Sequence, residues 1–230
     1  PASAAGSANW AGITSLALGV FGLVTAEFLP ASLLTAMASD LGVSDGAAGQ
    51  AVTATALVGA GAALMIPVLT RNFDRKRVIL ALTIMLVLSN VLAATAENLP
   101  VLLVSRVLLG IGLGGFWSMA AALAMRLVPD HLFARAMSFI LTGVSVATVG
   151  AAPIGAYMGN LWGWRSAFIA AGIVSIITLV VQFFAIPSLP PKDNPSLKIL
   201  FELLRRTNVR VALFAVLLVI SGHFAGFTYI

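Results

Sequence analysis

Seven long apolar runs follow one another along the chain, each ended by a polar connection, at about 10–36, 48–70, 78–96, 101–127, 134–158, 166–186 and from 209 onward. A helix crosses a bilayer with about 20 mostly apolar residues, and the first six runs have about that length or more. Lipid-facing strands would alternate over only about ten residues. These runs are longer and rich in Gly, Ala and Leu, so the pattern predicts an all-α membrane protein. The stretch PSLPPKDNPSLKILFELLRRTN at 187–208 is polar, proline-rich at its start and basic. A short surface helix is expected in its later part. The other connections are much shorter. The chain therefore divides, as an expectation, into an N-terminal six-helix transmembrane bundle over 1–186, a cytoplasmic linker over 187–208, and the start of a second bundle, span seven, over 209–230.

Composition changes the picture in three ways. The chain is 60% hydrophobic and 9% charged, whereas a soluble domain is about a quarter charged. There are no cysteines, which removes disulfides, thiolate metal sites and cysteine nucleophiles. The two histidines, His131 and His223, are far apart in sequence, and neither a metal site nor a cofactor is expected. The net charge of +5 would suggest nucleic acid in a soluble protein. Here the basic residues fall in connections and report topology, so a nucleic-acid partner is not expected. The chain opens at Pro1 and stops at Ile230 inside an apolar run, which reads as part of a longer chain. No basic segment precedes the first run as in a secretory leader.

Lys and Arg concentrate in cytoplasmic loops. Eleven of the 13 basic residues lie in or beside the loops after runs two and four and the linker, and only Arg165 lies in an opposite loop. That side is read as the cytoplasm, which puts the N-terminus there too.

Two charges remain inside the spans, Glu27 in the first and Arg106 in the fourth. A charge at that depth costs several kcal/mol unless it is paired, hydrated or neutralised. Glu27 lies nine residues from the outer end of its run, about 13 Å at 1.5 Å per residue. Arg106 lies at a compatible depth, so a salt bridge between them is one expectation if the two spans are neighbours. A low-dielectric surround favours a neutral carboxyl and a nearby cation favours a charged one. A group held between those influences can load and release a proton. Glu27 is thus read first as the proton-coupling group. Its alternatives are a structural carboxylate and a direct substrate contact. Arginine stays charged, so Arg106 is read as tuning Glu27 or an acidic substrate group, with snorkelling to the headgroups as the alternative. Pro30 releases the Ala26–Glu27 region from ideal helix geometry, as in the broken helices of transporters.

Further candidates for substrate contact are Phe28, Gln50, Asn90, Phe116, Trp117, Tyr157 and His223. Each has a plain alternative in helix packing or lipid contact. Small residues let helices approach closely in lipid, and GIGLGG at 110–115 and the glycines of 143–159 suit either static packing or seams that open. Pro153 in span five is a kink or a hinge. No H-E-x-x-H, G-x-S-x-G or phosphate-binding G-x-x-x-x-G-K-[ST] is present, so the chain is not expected to be an enzyme. A channel or structural bundle would give flux without saturation or exchange.

At these positions the sequence resembles the major facilitator superfamily, in the DHA1 group of proton-coupled drug and metabolite exporters. The loop RNFDRKR at 71–77 aligns with the family pattern G-x-x-x-D-R-x-G-R-K, with Pro67 at the first glycine, Arg71 at the aspartate and Asp74 at the second glycine. Arg75 and Lys76 keep its basic end. R-x-x-x-G-x-G is similar to Arg106, Gly110 and Gly112. The exporter pattern G-x-x-x-G-P-x-x-G-G is similar, loosely, to Gly150, Pro153, Gly155 and Gly159. Within the group, VTAEFLPASLLTAMASDLGVS, LLGIGLGGFWSMAAALAMRLVP and GHFAGFTYI resemble bacterial exporters of purine ribonucleosides. The resemblance implies a twelve-span transporter in a bacterial inner membrane, of which this chain is the N-terminal six-helix half plus most of span seven. It implies a monomer that exchanges a small-molecule substrate for protons amid membrane lipid, with gating at Arg75 and Lys76 and His223 at the cavity. Purine ribonucleosides come first as substrates, then drugs or sugars, and import is the alternative direction.

Overall fold

The computed structural model describes residues 8–191, 202 and 205–228. Six helices form the first compact unit, Pro1–Lys192. They are α1 (Trp10–Asp40), α2 (Asp45–Leu69), α3 (Arg75–Ala94), α4 (Leu99–Leu127), α5 (Phe133–Trp162) and α6 (Trp164–Ala185). All six are long and apolar enough to cross a membrane. The second unit, Asp193–Ile230, contains α7 (Thr207–Thr228). No strand occurs among the described residues. The surface helix expected in the later part of 187–208 falls largely outside the described residues.

α2, α3 and α4 begin before their apolar runs because their starts are set by caps. Asn9, Ser44, Asp74 and Asn98 each accept a hydrogen bond from a first-turn N–H, at 2.8, 3.2, 2.8 and 3.1 Å. Such caps satisfy donors that a helix start leaves free. Gly163, at φ 80°, makes the tight turn between α5 and α6, a conformation that costs glycine little.

α2 packs on α4, α1 on α5 and α6, and α3 on α4 and α6. α1 and α4 are the most buried spans and α2 and α5 the least. The main core gathers Leu16, Val20 and Leu23 of α1, Leu82 and Leu86 of α3, Phe116 and Leu123 of α4, and Ile140 of α5. Helix contact in lipid comes from close packing and buried hydrogen bonds, and both are present. A Cβ on Gly110 would lie 2.8 Å from the Thr55 carbonyl oxygen, so α2 and α4 meet backbone to backbone. Between α3 and α6, Thr83 donates to Gln182 Oε1 at 2.6 Å and Asn90 Nδ2 to Ser175 Oγ at 3.2 Å. Gln182 Nε2 donates to the Ser15 carbonyl of α1 at 3.3 Å.

The two ends of the bundle differ. At one, Asn9 N–H donates to the Leu127 carbonyl and its side chain to that of Ala185. This joins the start of α1 to the ends of α4 and α6. The basic α2–α3 turn is at this end, and the segment leaving α6 is tied to it. Ser188 Oγ donates to Asp74 Oδ2 at 2.5 Å and Arg75 N–H to the Leu189 carbonyl at 2.9 Å. Burial works against the charge on Asp74, but hydrogen bonds from Ser188 and from backbone N–H groups outweigh it and hold the carboxyl below its ordinary value. A carboxylate with a lowered folded pKa stabilises above its unfolded pKa, and that contribution disappears as pH falls through the folded one. Asp74→Ala is therefore expected to cost about 1 kcal/mol at neutral pH. The gap from the parent should close below the carboxylate range, as read by melting in detergent across pH. At the other end, Arg165 binds Asp40 Oδ2 at 2.5 Å and the Ala96 carbonyl at 2.6 Å, and Trp164 Nε1 donates to Asp40 at 3.2 Å. This cluster clasps α1, the α3–α4 turn and α6.

Candidate functional site

Glu27 lies midway along α1, three residues before Pro30 in the same helix. Proline has no N–H and cannot donate to the carbonyl four residues earlier, which here is Ala26. That carbonyl is nevertheless bonded, because Arg106 Nη1 of α4 donates to it at 3.0 Å. Arg106 is fully buried. Its Nε donates to Ser105 Oγ at 3.2 Å, and its guanidinium lies 5.0 Å from the centre of the Phe168 ring. Nη2 has no hydrogen-bond partner among the described residues.

The expected salt bridge is therefore not made. α1 and α4 are neighbours, but the ion pair among the described residues is Asp40–Arg165. Helix phase is the reason. Successive helical residues point about 100° apart, so α1 turns the Ala26 carbonyl toward Arg106 while Glu27 stands off to the side. Arg106 does not snorkel either, since its whole side chain is inside the bundle. Glu27 is half-buried and makes no hydrogen bond or ion pair among the described residues.

The remaining candidates separate by burial. Trp117 is 37% exposed and Tyr157 65% exposed. Gln50 is exposed, and Phe28 is half-buried against the main core. Phe116 is 1% exposed and fills the space beside Gly19, where a Cβ would lie 2.6 Å from its ring. Asn90 is fully buried and holds α6, with Oδ1 unpartnered among the described residues. These two are packed inside the bundle, not presented at its surface. His223 belongs to α7, and its side chain lies outside the described residues.

The basic turn and the glycines also take definite places. Arg75 Nη1 donates to the Thr70 carbonyl at 3.2 Å and reaches Met119 of α4, and Lys76 Nζ lies 5.2 Å from the Phe183 ring centre of α6. Gly110 faces Thr55 of α2, and Gly112 faces Leu82 of α3. Gly155 and Gly159 face Leu29 and Leu33 of α1. Beside Gly150 a Cβ would meet Ile154 of the same helix at an ordinary 3.6 Å, and Pro153 is exposed. Sequence reasoning missed the Ala26 carbonyl as Arg106's partner. The signal was Pro30, which names the carbonyl that lacks a donor. The Asp40 clasp and the Asp74–Ser188 tie join positions 125 and 114 residues apart, and no local pattern marks them.

Comparison with known proteins agrees with this architecture. The family model of the Major Facilitator Superfamily matches residues 16–230. The chain is 42% identical over 222 residues to "Purine ribonucleoside efflux pump NepI" of Escherichia coli (strain K12), and equally so to that of Shigella dysenteriae serotype 1. Each alignment covers 96% of this chain and 56% of the relative, so the chain spans little more than half the length of those curated relatives. Among solved structures, the proton:xylose symporter XylE superposes with a TM-score of 0.70 at 15% identity, covering 80% of this chain and 46% of that one. A bacterial homolog of the human lysosomal transporter Spinster, inward-facing and unoccupied, superposes at 0.69 and 18%, covering 82% and 45%. At those identities the likeness concerns the fold alone. The sequence relationship goes further: the chain, with six helices long and apolar enough to cross a membrane, belongs to the Major Facilitator Superfamily.

Proposed function

We propose that this chain forms the N-terminal half of a proton-coupled exporter of small organic solutes, with purine ribonucleosides as its first substrate class. It works as a monomer in the bacterial cytoplasmic membrane, with the N-terminus and the basic turns in the cytoplasm. The observation that carries the coupling role is Glu27, a half-buried mid-span carboxyl with no hydrogen bond or ion pair among the described residues. A structural carboxylate would be held by partners. One free of them can change its protonation without breaking the bundle, which a carrier must do twice per cycle. Phe28, Gln50, Trp117 and Tyr157, with His223, supply the substrate contacts, and Arg75 and Lys76 gate the cytoplasmic end. The curated relatives at 42% identity are purine ribonucleoside efflux pumps by name, which supports the direction and the substrate class. The test is uptake of labelled inosine by inside-out vesicles carrying the full-length protein, with an acidic lumen. Saturable accumulation that vanishes with an uncoupler is expected. Vesicles that ignore inosine but accumulate a drug-like cation would move the substrate to the multidrug class. Flux without saturation would overturn the exporter reading.

A further inference from the structure

Two polar atoms inside the bundle have no partner, and they are opposite in kind. Among the described residues, Arg106 Nη2 of α4 finds no acceptor and Asn90 Oδ1 of α3 finds no donor. Both residues are fully buried. The assignment of the amide is fixed by its own bonds. Asn90 Nδ2 donates to the Leu86 carbonyl at 3.1 Å and to Ser175 Oγ at 3.2 Å. Exchanging nitrogen and oxygen would set Oδ1 against the Leu86 carbonyl, acceptor against acceptor. The guanidinium is likewise committed elsewhere, with Nη1 on the Ala26 carbonyl and Nε on Ser105 Oγ.

The two side chains meet the same stretch of α6. A Cβ on Gly172 would lie 3.6 Å from Asn90 Cβ, and the Arg106 guanidinium lies 5.0 Å from the centre of the Phe168 ring. Phe168 and Gly172 are about one helical turn apart, roughly 6 Å along the axis. α3 and α4 are joined at the same level, because Ser89 Oγ donates to the Ser105 carbonyl at 2.7 Å. Those are the residues directly before Asn90 and Arg106.

There is also room. Gly172 is buried. Beyond its own helix backbone and chain neighbours, a Cβ there would have Asn90 Cβ alone within 4 Å among the described residues. An unmet buried donor or acceptor is costly, and internal water commonly satisfies such groups, holding about two to four polar partners. The chemistry of this pair selects water over an anion. A halide would suit Nη2 but would be repelled by Oδ1. Water accepts from the one and donates to the other.

We propose that one water molecule is bound between Arg106 Nη2 and Asn90 Oδ1, beside Gly172, where α3, α4 and α6 meet. Arg106 is then surrounded by neutral oxygens, those of the Ala26 carbonyl, the Ser105 hydroxyl and the water. This solvates a buried guanidinium without a carboxylate. Gly172 is the residue whose missing side chain leaves the site its room.

The experiment is X-ray radiolysis of the full-length transporter in nanodiscs, mapped by mass spectrometry. Radiolysis turns bound water into hydroxyl radicals that oxidise the side chain beside it. Phe168 is the reporter and Phe116 the control, at 0% and 1% exposed. Oxidation of Phe168 several-fold above that of Phe116 is expected. Gly172→Ala fills the space with an ordinary contact to Asn90, and Asn90→Leu removes the acceptor at similar volume. Each should cut the oxidation of Phe168 several-fold and leave Phe116 unchanged. Should one variant fail to fold, the other carries the test. Phe168 no more reactive than Phe116 in the parent would overturn the proposal. So would oxidation of Phe168 that neither variant reduces.

Discussion

Glu27→Gln is expected to abolish proton-driven accumulation of substrate while leaving a folded, membrane-inserted protein. Glutamine keeps the shape of a protonated glutamate and cannot release a proton. Glu27 makes no hydrogen bond or ion pair among the described residues, so the exchange removes no internal bond. It removes a group whose charged form is costly at mid-span, and melting in detergent should be unchanged or higher. The functional prediction is more specific than loss of activity. With the proton site frozen in its neutral form, exchange of labelled for unlabelled inosine across vesicles should persist, because it needs no net proton movement. Accumulation against a gradient should vanish. Undiminished pH-driven accumulation in the variant would end the coupling role of Glu27. Loss of both exchange and accumulation, in a folded protein, would make Glu27 a substrate contact.

The spans were legible because hydrocarbon imposes one requirement on every residue of a helix, and that requirement survives without knowledge of neighbours. The six runs match six helices to within a few residues, and the mismatches have a local cause. α1 continues to Asp40 and α3 begins at Arg75, since helices end at caps and turns, not where hydropathy falls. The grouping of basic residues at one end was also legible, and the Asn9 bonds and the Ser188–Asp74 tie gather the same end in three dimensions. Pairings were not legible. Depth along the membrane placed Glu27 and Arg106 at one level, but depth does not carry helix phase. A single step from residue 27 to 26 exchanges a carboxylate for a carbonyl as Arg106's partner. Phe116 and Trp117 illustrate the same limit. Adjacent in sequence and both aromatic, one is 1% exposed against α1 and the other 37% exposed. Only the packing of α4 decides which is which.

Pro30 and Arg106 are expected to be energetically coupled although 76 positions apart in the chain. Pro30 takes away the N–H that would have served the Ala26 carbonyl, and Arg106 replaces it at 3.0 Å. In the parent background, Arg106→Leu leaves that carbonyl buried and unpaired, at about 1–3 kcal/mol. In a Pro30→Ala background the alanine N–H reclaims the carbonyl, and the same substitution no longer incurs that cost. The effect of removing a proline from the helix interior is common to both arms and cancels, as does relief from burying the guanidinium charge. The difference between the arms should therefore be about 1–3 kcal/mol, measured by denaturant or thermal melting of the four proteins in one detergent. Arg106→Lys retains a donor and should show a smaller coupling. Additivity within about 0.5 kcal/mol would mean that the Ala26 carbonyl does not depend on Arg106 for its partner. The coupling bears on the proposed role of Glu27 because Glu27 follows Ala26 directly in α1. An arginine bonded to the α1 backbone fixes where the carboxyl stands, and it does so without neutralising it.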